Sequence, residues 1–211
     1  MNIKHKILII SLILISINSY SQSVVNKFFK LSRPEKFWTV THIFKAKKAF
    51  KISIEARTKA DSIAKTITLD GDKNGGQVDA FRHSYWQARL NQEIGKYAAK
   101  KLGIAHEKGN YLYFKKNKLE DGGVPDKISS DMDLFNNEVG LSITIENKEL
   151  NSQYIEKQIV EKIKRGELKV ILKNEMGQFL DCNGNIISTE ELKGKWDNNK
   201  CLVNSNNTKY K

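Results

Sequence analysis

The chain has 211 residues, 39% of them hydrophobic and 28% charged, which is enough for one core of ordinary size and excludes disorder throughout. Two prolines, thirteen glycines and two cysteines exclude collagen-like chains, proline-rich low complexity, a disulfide-dense miniprotein and a four-cysteine zinc module. The formal charge of +12 fits an anionic substrate or envelope surface, but 31 of the 36 cations are lysine, so a plain solvated surface accounts for it equally well.

In chain order, residues 1–21 read as a secretory signal peptide. Lys4 and Lys6 precede an aliphatic run from Ile7 to Ile17, and Ser19 and Ser21 sit where a signal peptidase reads small residues. The run is about half of the roughly 20 residues that a membrane span needs, so no transmembrane span is expected after cleavage before Gln22. No cysteine lies nearby to carry a lipid anchor. The expected location is therefore exported, either periplasmic or secreted. There Cys182 and Cys201 are expected to pair, closing a loop of about 20 residues worth roughly 3 kcal/mol.

Residues 22–166 are expected to form a helical domain, 167–203 a small disulfide-tied β element and 204–211 a frayed tail. The fold class is mainly α, with a C-terminal β-hairpin element (α+β). Ala46, Ala49, Phe50, Ala56, Ala60, Ile63, Ala64 and Ile67 recur at three or four, predicting a long helix over 45–67. Before it, Arg33-Pro34-Glu35 and the aromatics Phe37, Trp38 and Phe44 suggest a short helix or loop. A second helical pattern runs over 78–109, with Gly95 and Gly103 as candidate breaks. Ser129 or Ser130 is expected to cap a helix over 131–145. A further amphipathic stretch over 152–165 stops at Gly166, and 168–172 and 178–182 flank a turn at 174–177 that reads as a hairpin.

The densest chemistry is Asp79, Arg82 and His83, then His106 and Glu107, then Asp133, Asn136 and Asn137. Residues four apart stack on one helical face, so Asp79 and His83 can aim at one spot while Phe81 faces away, and Asp133 and Asn137 have the same spacing. Three helices would then meet around a polar centre. Each residue alone has a plainer account: Asp79 pairing with Arg82 or His83 along its own helix, His106 as a hydrogen-bonded core histidine, and the asparagines as caps. Convergence would favour a divalent ion such as Zn, Mn, Fe or Mg on Asp79, His83, His106 and Asp133, with Glu107 as general base on a bound water and Arg82 meeting an anionic group.

Asp70, Asp72 and Asn74 with Gly75 repeat the opening half of a calcium loop, but Phe81 stands where the closing bidentate Glu belongs. A plain Asp/Asn/Gly turn is the competing reading.

The runs Asp79-Ala80-Phe81-Arg82-His83-Ser84-Tyr85-Trp86, Ala105-His106-Glu107 and Met132-Asp133-Leu134-Phe135-Asn136-Asn137-Glu138-Val139-Gly140 resemble the signature of a bacterial domain of unknown function. That family reads DAFRHAYW, AHE and MDLxNNxxGR and occurs in exported proteins and in large toxin-like polypeptides. The resemblance spans about Leu69 to Ile145 and implies a shared site without naming a reaction. Leu141 stands where the family often carries arginine, which puts that cation's role in question.

Two functions follow as expectations: an exported metal-dependent hydrolase acting on phosphoester or lipid substrates, or a non-catalytic envelope protein whose Asp/His/Asn cluster is a structural hydrogen-bond network. Nucleic-acid binding through the lysine-rich first helix ranks below both, because arginine is scarce and no binding motif is recognisable.

Overall fold

The computed structural model describes residues 26–119, 123–143 and 150–207. The expected signal peptide, the last residues of the tail and the end of the 131–145 helix lie outside them. The architecture is mainly helical with one small antiparallel sheet near the C-terminus, in agreement with the expected class.

Helix α1 (Arg33–Thr41) starts at a capping box. The Ser32 hydroxyl accepts from the Glu35 N–H, the Glu35 carboxylate accepts from the Ser32 N–H, and Pro34 fits the first turn. Helix α2 (Ile43–Ile63) follows and ends four residues earlier than its apolar spacing predicts. There the Thr66 hydroxyl donates to the Ile63 carbonyl and turns the chain out, leaving Ile67 in solvent.

Helix α3 (Gln77–Ile94) is the centre of the molecule. Gly95, at φ 85°, separates it from α4 (Lys96–Phe114), whereas Gly103 lies inside α4 and makes no break. Phe81, Tyr85 and Ala88 of α3 join Ala56, Ala60 and Ile63 of α2 in one apolar cluster. Ile155, Ile159 and Ile163 of α6 (Ser152–Lys164) complete it. Leu90 and Ile94 join Trp38, Ile52, Ala99 and Leu102 in a second. With two faces covered by apolar neighbours, the third face of α3, Asp79-His83-Gln87, is left to pack against α5 (Lys127–Ile143).

Helix α5 begins before the expected serines because Asp126 is its cap, accepting from the Ser129 N–H at 2.8 Å. Strand β1 (Lys169–Ile171) pairs antiparallel with β2 (Leu202–Asn204), in register Lys169 to Asn204 and Ile171 to Leu202. The expected hairpin is present but short: about the turn at 174–177 the Asn174 N–H donates to the Gln178 carbonyl and the Leu180 N–H to the Leu172 carbonyl, on either side of the Lys173–Phe179 bridge, and Leu180 then bridges to Ile186. The expected start of a frayed tail is also corrected: Asn204 ends β2, and Ser205 is buried, its hydroxyl donating to the Ile163 carbonyl. Short helix α7 (Thr189–Leu192) lies between the strands, and the Cys182–Cys201 disulfide closes this element as expected.

Helices α3 and α5 touch backbone to backbone. A Cβ added at Gly140 would fall 2.1 Å from the Ser84 carbonyl oxygen, so the helices must separate to admit one. Leu141 is buried in the second apolar cluster. Gly140→Ala is expected to cost about 3 kcal/mol, the upper end for overpacking, read as a shift in urea midpoint at constant slope.

Candidate functional site

The loop before α3 sets the geometry of its first acidic residue. Asp70 Oδ1 accepts from the Asp72 N–H, Asp72 Oδ1 from the Asn74 N–H, and Asp79 Oδ2 from the Gly75 N–H at 2.7 Å. The first two are the Asx turns of the plain reading, and the third ties the loop back to the first turn of α3. A lysine ammonium holds the loop: Lys173 Nζ donates to Asp72 Oδ2 at 2.6 Å and to the Asn74 carbonyl at 2.5 Å. The calcium expectation at Asp70, Asp72 and Asn74 gives way to this, since the Asp70 and Asp72 side chains accept from the backbone and Lys173 takes Asp72 and the Asn74 main-chain carbonyl.

One turn along α3, His83 Nε2 lies 3.5 Å from Asp79 Oδ1 and 3.4 Å from Asp133 Oδ1 of α5. All three side chains are buried, and one ligand atom from each falls within 4.8 Å of the other two. Among the described residues this is the group able to hold an ion. The Arg82 Nη2 donates to Asp79 Oδ1 at 2.7 Å and reaches His83 Nε2 at 3.1 Å. A guanidinium only donates, so toward Arg82 the neutral ring with its proton on Nδ1 presents Nε2 as an acceptor.

A cleft of about 740 Å³ opens over this group. Asp79, Arg82 and Asp133 lie on its helical side, and Phe179, α7 and Lys193–Lys195 form the opposite wall. Lys73 and Lys200 also border it. The wall is held to the start of α5 by a buried ion pair: Lys200 Nζ donates to Asp126 Oδ2 at 2.5 Å, while the Lys127 N–H donates to the Trp196 carbonyl. Burial acts to raise the Asp126 pKa, but the charge and hydrogen bond of Lys200 more than offset it and hold the carboxyl below its ordinary range.

The other four candidates have different surroundings. His106 is not in the ion-holding group. Its ring centroid is 6.3 Å from that of His83, and its Nδ1 meets Glu35 Oε1 at 3.0 Å. Burial acts to raise the Glu35 pKa, and the His106 contacts with the Ser32 bonds outweigh that, leaving it lowered. Glu107 is buried on α4, accepts from Asn110 Nδ2 at 3.1 Å, and does not border the cleft, so the expected general-base position is not reached. Asn136 is a clamp: its Nδ2 donates to the Lys169 carbonyl and its Oδ1 accepts from the Lys169 N–H, both at 2.9 Å, fixing β1 to α5. Asn137 lies one turn below Asp133, where its amide and that of Gln87 meet over Gly103.

A family model described as Domain of unknown function (DUF6973) matches residues 36–167. The chain belongs to that family. No curated protein and no solved structure matches it. The DUF6973 span holds all eight candidate residues and ends two residues before β1, so the far wall of the cleft lies beyond it.

Sequence reasoning missed Gln87, although it continues the Asp79-His83 face at the same spacing of four. It also missed Glu35, Lys173 and Lys200, which reach His106, Asp72 and Asp126 across long sequence separations that no local pattern encodes, and the Asp126 cap, which is a local signal three residues from Ser129.

The Asp126 carboxyl, depressed when folded, contributes stability that is complete above its unfolded pKa of about 4 and is lost as pH falls through the lower folded value. Lys200→Met is therefore expected to cost about 3 kcal/mol at pH 7, where it leaves a buried charge unpaired, and clearly less near pH 2. Urea titrations of both proteins across that range check the convergence. Asn136→Ala is expected to cost about 2 kcal/mol by leaving two backbone groups of β1 unbonded, read as a lowered thermal midpoint.

Proposed function

We propose that the protein is an exported metal-dependent hydrolase whose ion is held by Asp79, His83 and Asp133 and whose substrate is a phosphoester entering the cleft above them. The observation that carries this reading is the approach of three buried ligand atoms to within 4.8 Å of one another beside that cleft. One imidazole with two carboxylates suits Zn, Mn, Fe or Mg, and three protein ligands leave positions for water and substrate. An ion there would supply a water that ionises near neutral pH.

The chain's own groups have definable tasks around it. His83 Nε2 lies between Asp79 and Asp133, where the neutral imidazole would share an ion with them, and the Gly75 N–H orients Asp79 from behind. Arg82 is placed to turn from Asp79 to an anionic substrate group, and Lys73, Lys193 and Lys195 add positive charge along the cleft. The aliphatic run of residues 7–17 and the disulfide both suit export to an oxidising compartment.

A second reading is supported by Arg82 itself. Its guanidinium already neutralises Asp79, so the group can serve as a structural network in an envelope protein, without an ion.

The two readings part on metal content. Under the hydrolase reading, the purified protein takes up one Zn, Mn or Mg ion per chain, and Asp133→Asn loses it together with at least about 100-fold of its hydrolysis of bis-p-nitrophenyl phosphate. Elemental analysis and calorimetric titration measure the first, and colorimetric assay the second. If none of these ions binds stoichiometrically and chelator changes neither melting temperature nor activity, the network reading stands instead.

A further inference from the structure

The exposed apolar residues are not spread evenly over the molecule. Seven of the seventeen large ones among the described residues lie between Phe29 and Ile54. At the junction of α1 and α2, Phe37 is 73% exposed, Val40 64%, Ile43 67% and Phe44 98%. Scattered single apolar residues are ordinary on a surface, but a contiguous set of this kind is not. On α2 the exposed Phe50 and Ile54 continue the side begun by Ile43, since positions seven and eleven apart return to nearly the same angle of a helix.

Charge surrounds this set with one sign. Between Lys27 and Ile54 the chain has seven lysines and Arg33 against one acid, Glu35, which is turned inward to His106. Lys45, Lys47, Lys48 and Lys51 are all exposed on α2, and Lys27 lies over the Phe50 ring at 4.9 Å. Lys45 and Lys48 also tie α2 to the end of α3, through the Ile94 carbonyl and Glu93, so the face is held on a rigid pair of helices. Aromatic and aliphatic side chains interleaved with lysines, with Glu35 turned inward and Glu93 paired to Lys48, match the interfacial layer of a bilayer: rings enter the headgroup region while flexible ammonium groups meet lipid phosphates. Nucleic acid would use the lysines but leave Phe37, Val40, Ile43 and Phe44 in water.

We propose that the α1–α2 face docks the protein peripherally on an anionic phospholipid bilayer, with Phe37 and Phe44 inserted and Lys47 and Lys51 on the headgroups. This surface is independent of the Asp79–His83–Asp133 group, and its test uses no enzymatic readout.

The test is co-sedimentation of the full chain with vesicles of phosphatidylcholine alone and of phosphatidylcholine with a third replaced by phosphatidylglycerol. Residues 1–25 are common to every variant, so differences between variants report the face. The expected result is binding to the anionic vesicles that weakens with salt. Lys47→Gln/Lys51→Gln should lower it about 25-fold, from roughly fivefold per lysine. Phe37→Ser/Phe44→Ser should lower it at least as much, with unchanged melting temperature because both positions are exposed. A local probe makes the result independent of affinity: Phe44→Trp should give blue-shifted emission, quenched by brominated lipid, only with anionic vesicles. Equal pelleting of wild type and both double variants, with unshifted emission from the Phe44→Trp protein, overturns the proposal. So does a dimer in light scattering that Phe37→Ser/Phe44→Ser dissolves, which would make the face a contact between copies. Salt-sensitive binding to duplex DNA without vesicle binding would overturn it in favour of nucleic acid.

Discussion

Two carboxylates removed from water at the contact between α3 and α5 set the terms for the rest of the molecule. Asp79 and Asp133 cannot be buried side by side unless donors and cations surround them, because an unpaired buried charge costs several kcal/mol. The backbone contact at Ser84 and Gly140 forces the closeness. The compensation on the Asp79 side comes from the Gly75 N–H behind it and the Arg82 guanidinium beside it, and the His83 ring stands between the two carboxylates. Small residues at the crossing and polar residues on the facing stripes are thus one arrangement.

The same requirement links the site to the C-terminal element. Lys173 holds the loop that presents Gly75 to Asp79, Lys200 holds Asp126 at the start of the helix that carries Asp133, and Asn136 of that helix holds β1. Phe179 lies beneath both ammonium groups, 4.9 Å from Lys173 and 3.8 Å from Lys200. The disulfide joins Cys201, next to Lys200, to Cys182 and so keeps these contacts on one frame. The DUF6973 span supplies the acidic group, and residues after it supply the opposite wall of the cleft. Variation in that wall would change what reaches the group without altering the group itself.

Lysine therefore has two uses here. Lys173 and Lys200 are structural cations at carboxylates, where burial makes a charge pair count. Lys47 and Lys51 stand in solvent among exposed aromatics, where a flexible stem suits a diffuse anionic surface. The net charge of the chain sums both uses and distinguishes neither. No helix among the described residues is long and apolar enough to cross a membrane.

Local rules carried the sequence reading a long way. Spacings of three and four determined the helices, Gly95 and Gly166 determined two of their ends, and the spacing of Asp79 to His83 placed both on one face, because each depends on residues within a turn of one another. The disulfide was legible from two cysteines alone. Which helices meet, and at what depth, was settled by the folded chain. It brought Asp133 to His83, left His106 with Glu35, gave Asn136 to β1, put Lys173 where a calcium ion had been an option, and paired β1 with 202–204 instead of the nearer 178–182. Each of these contacts joins residues tens of positions apart, and its formation rests on packing and desolvation summed over the whole core, which no short stretch of sequence contains.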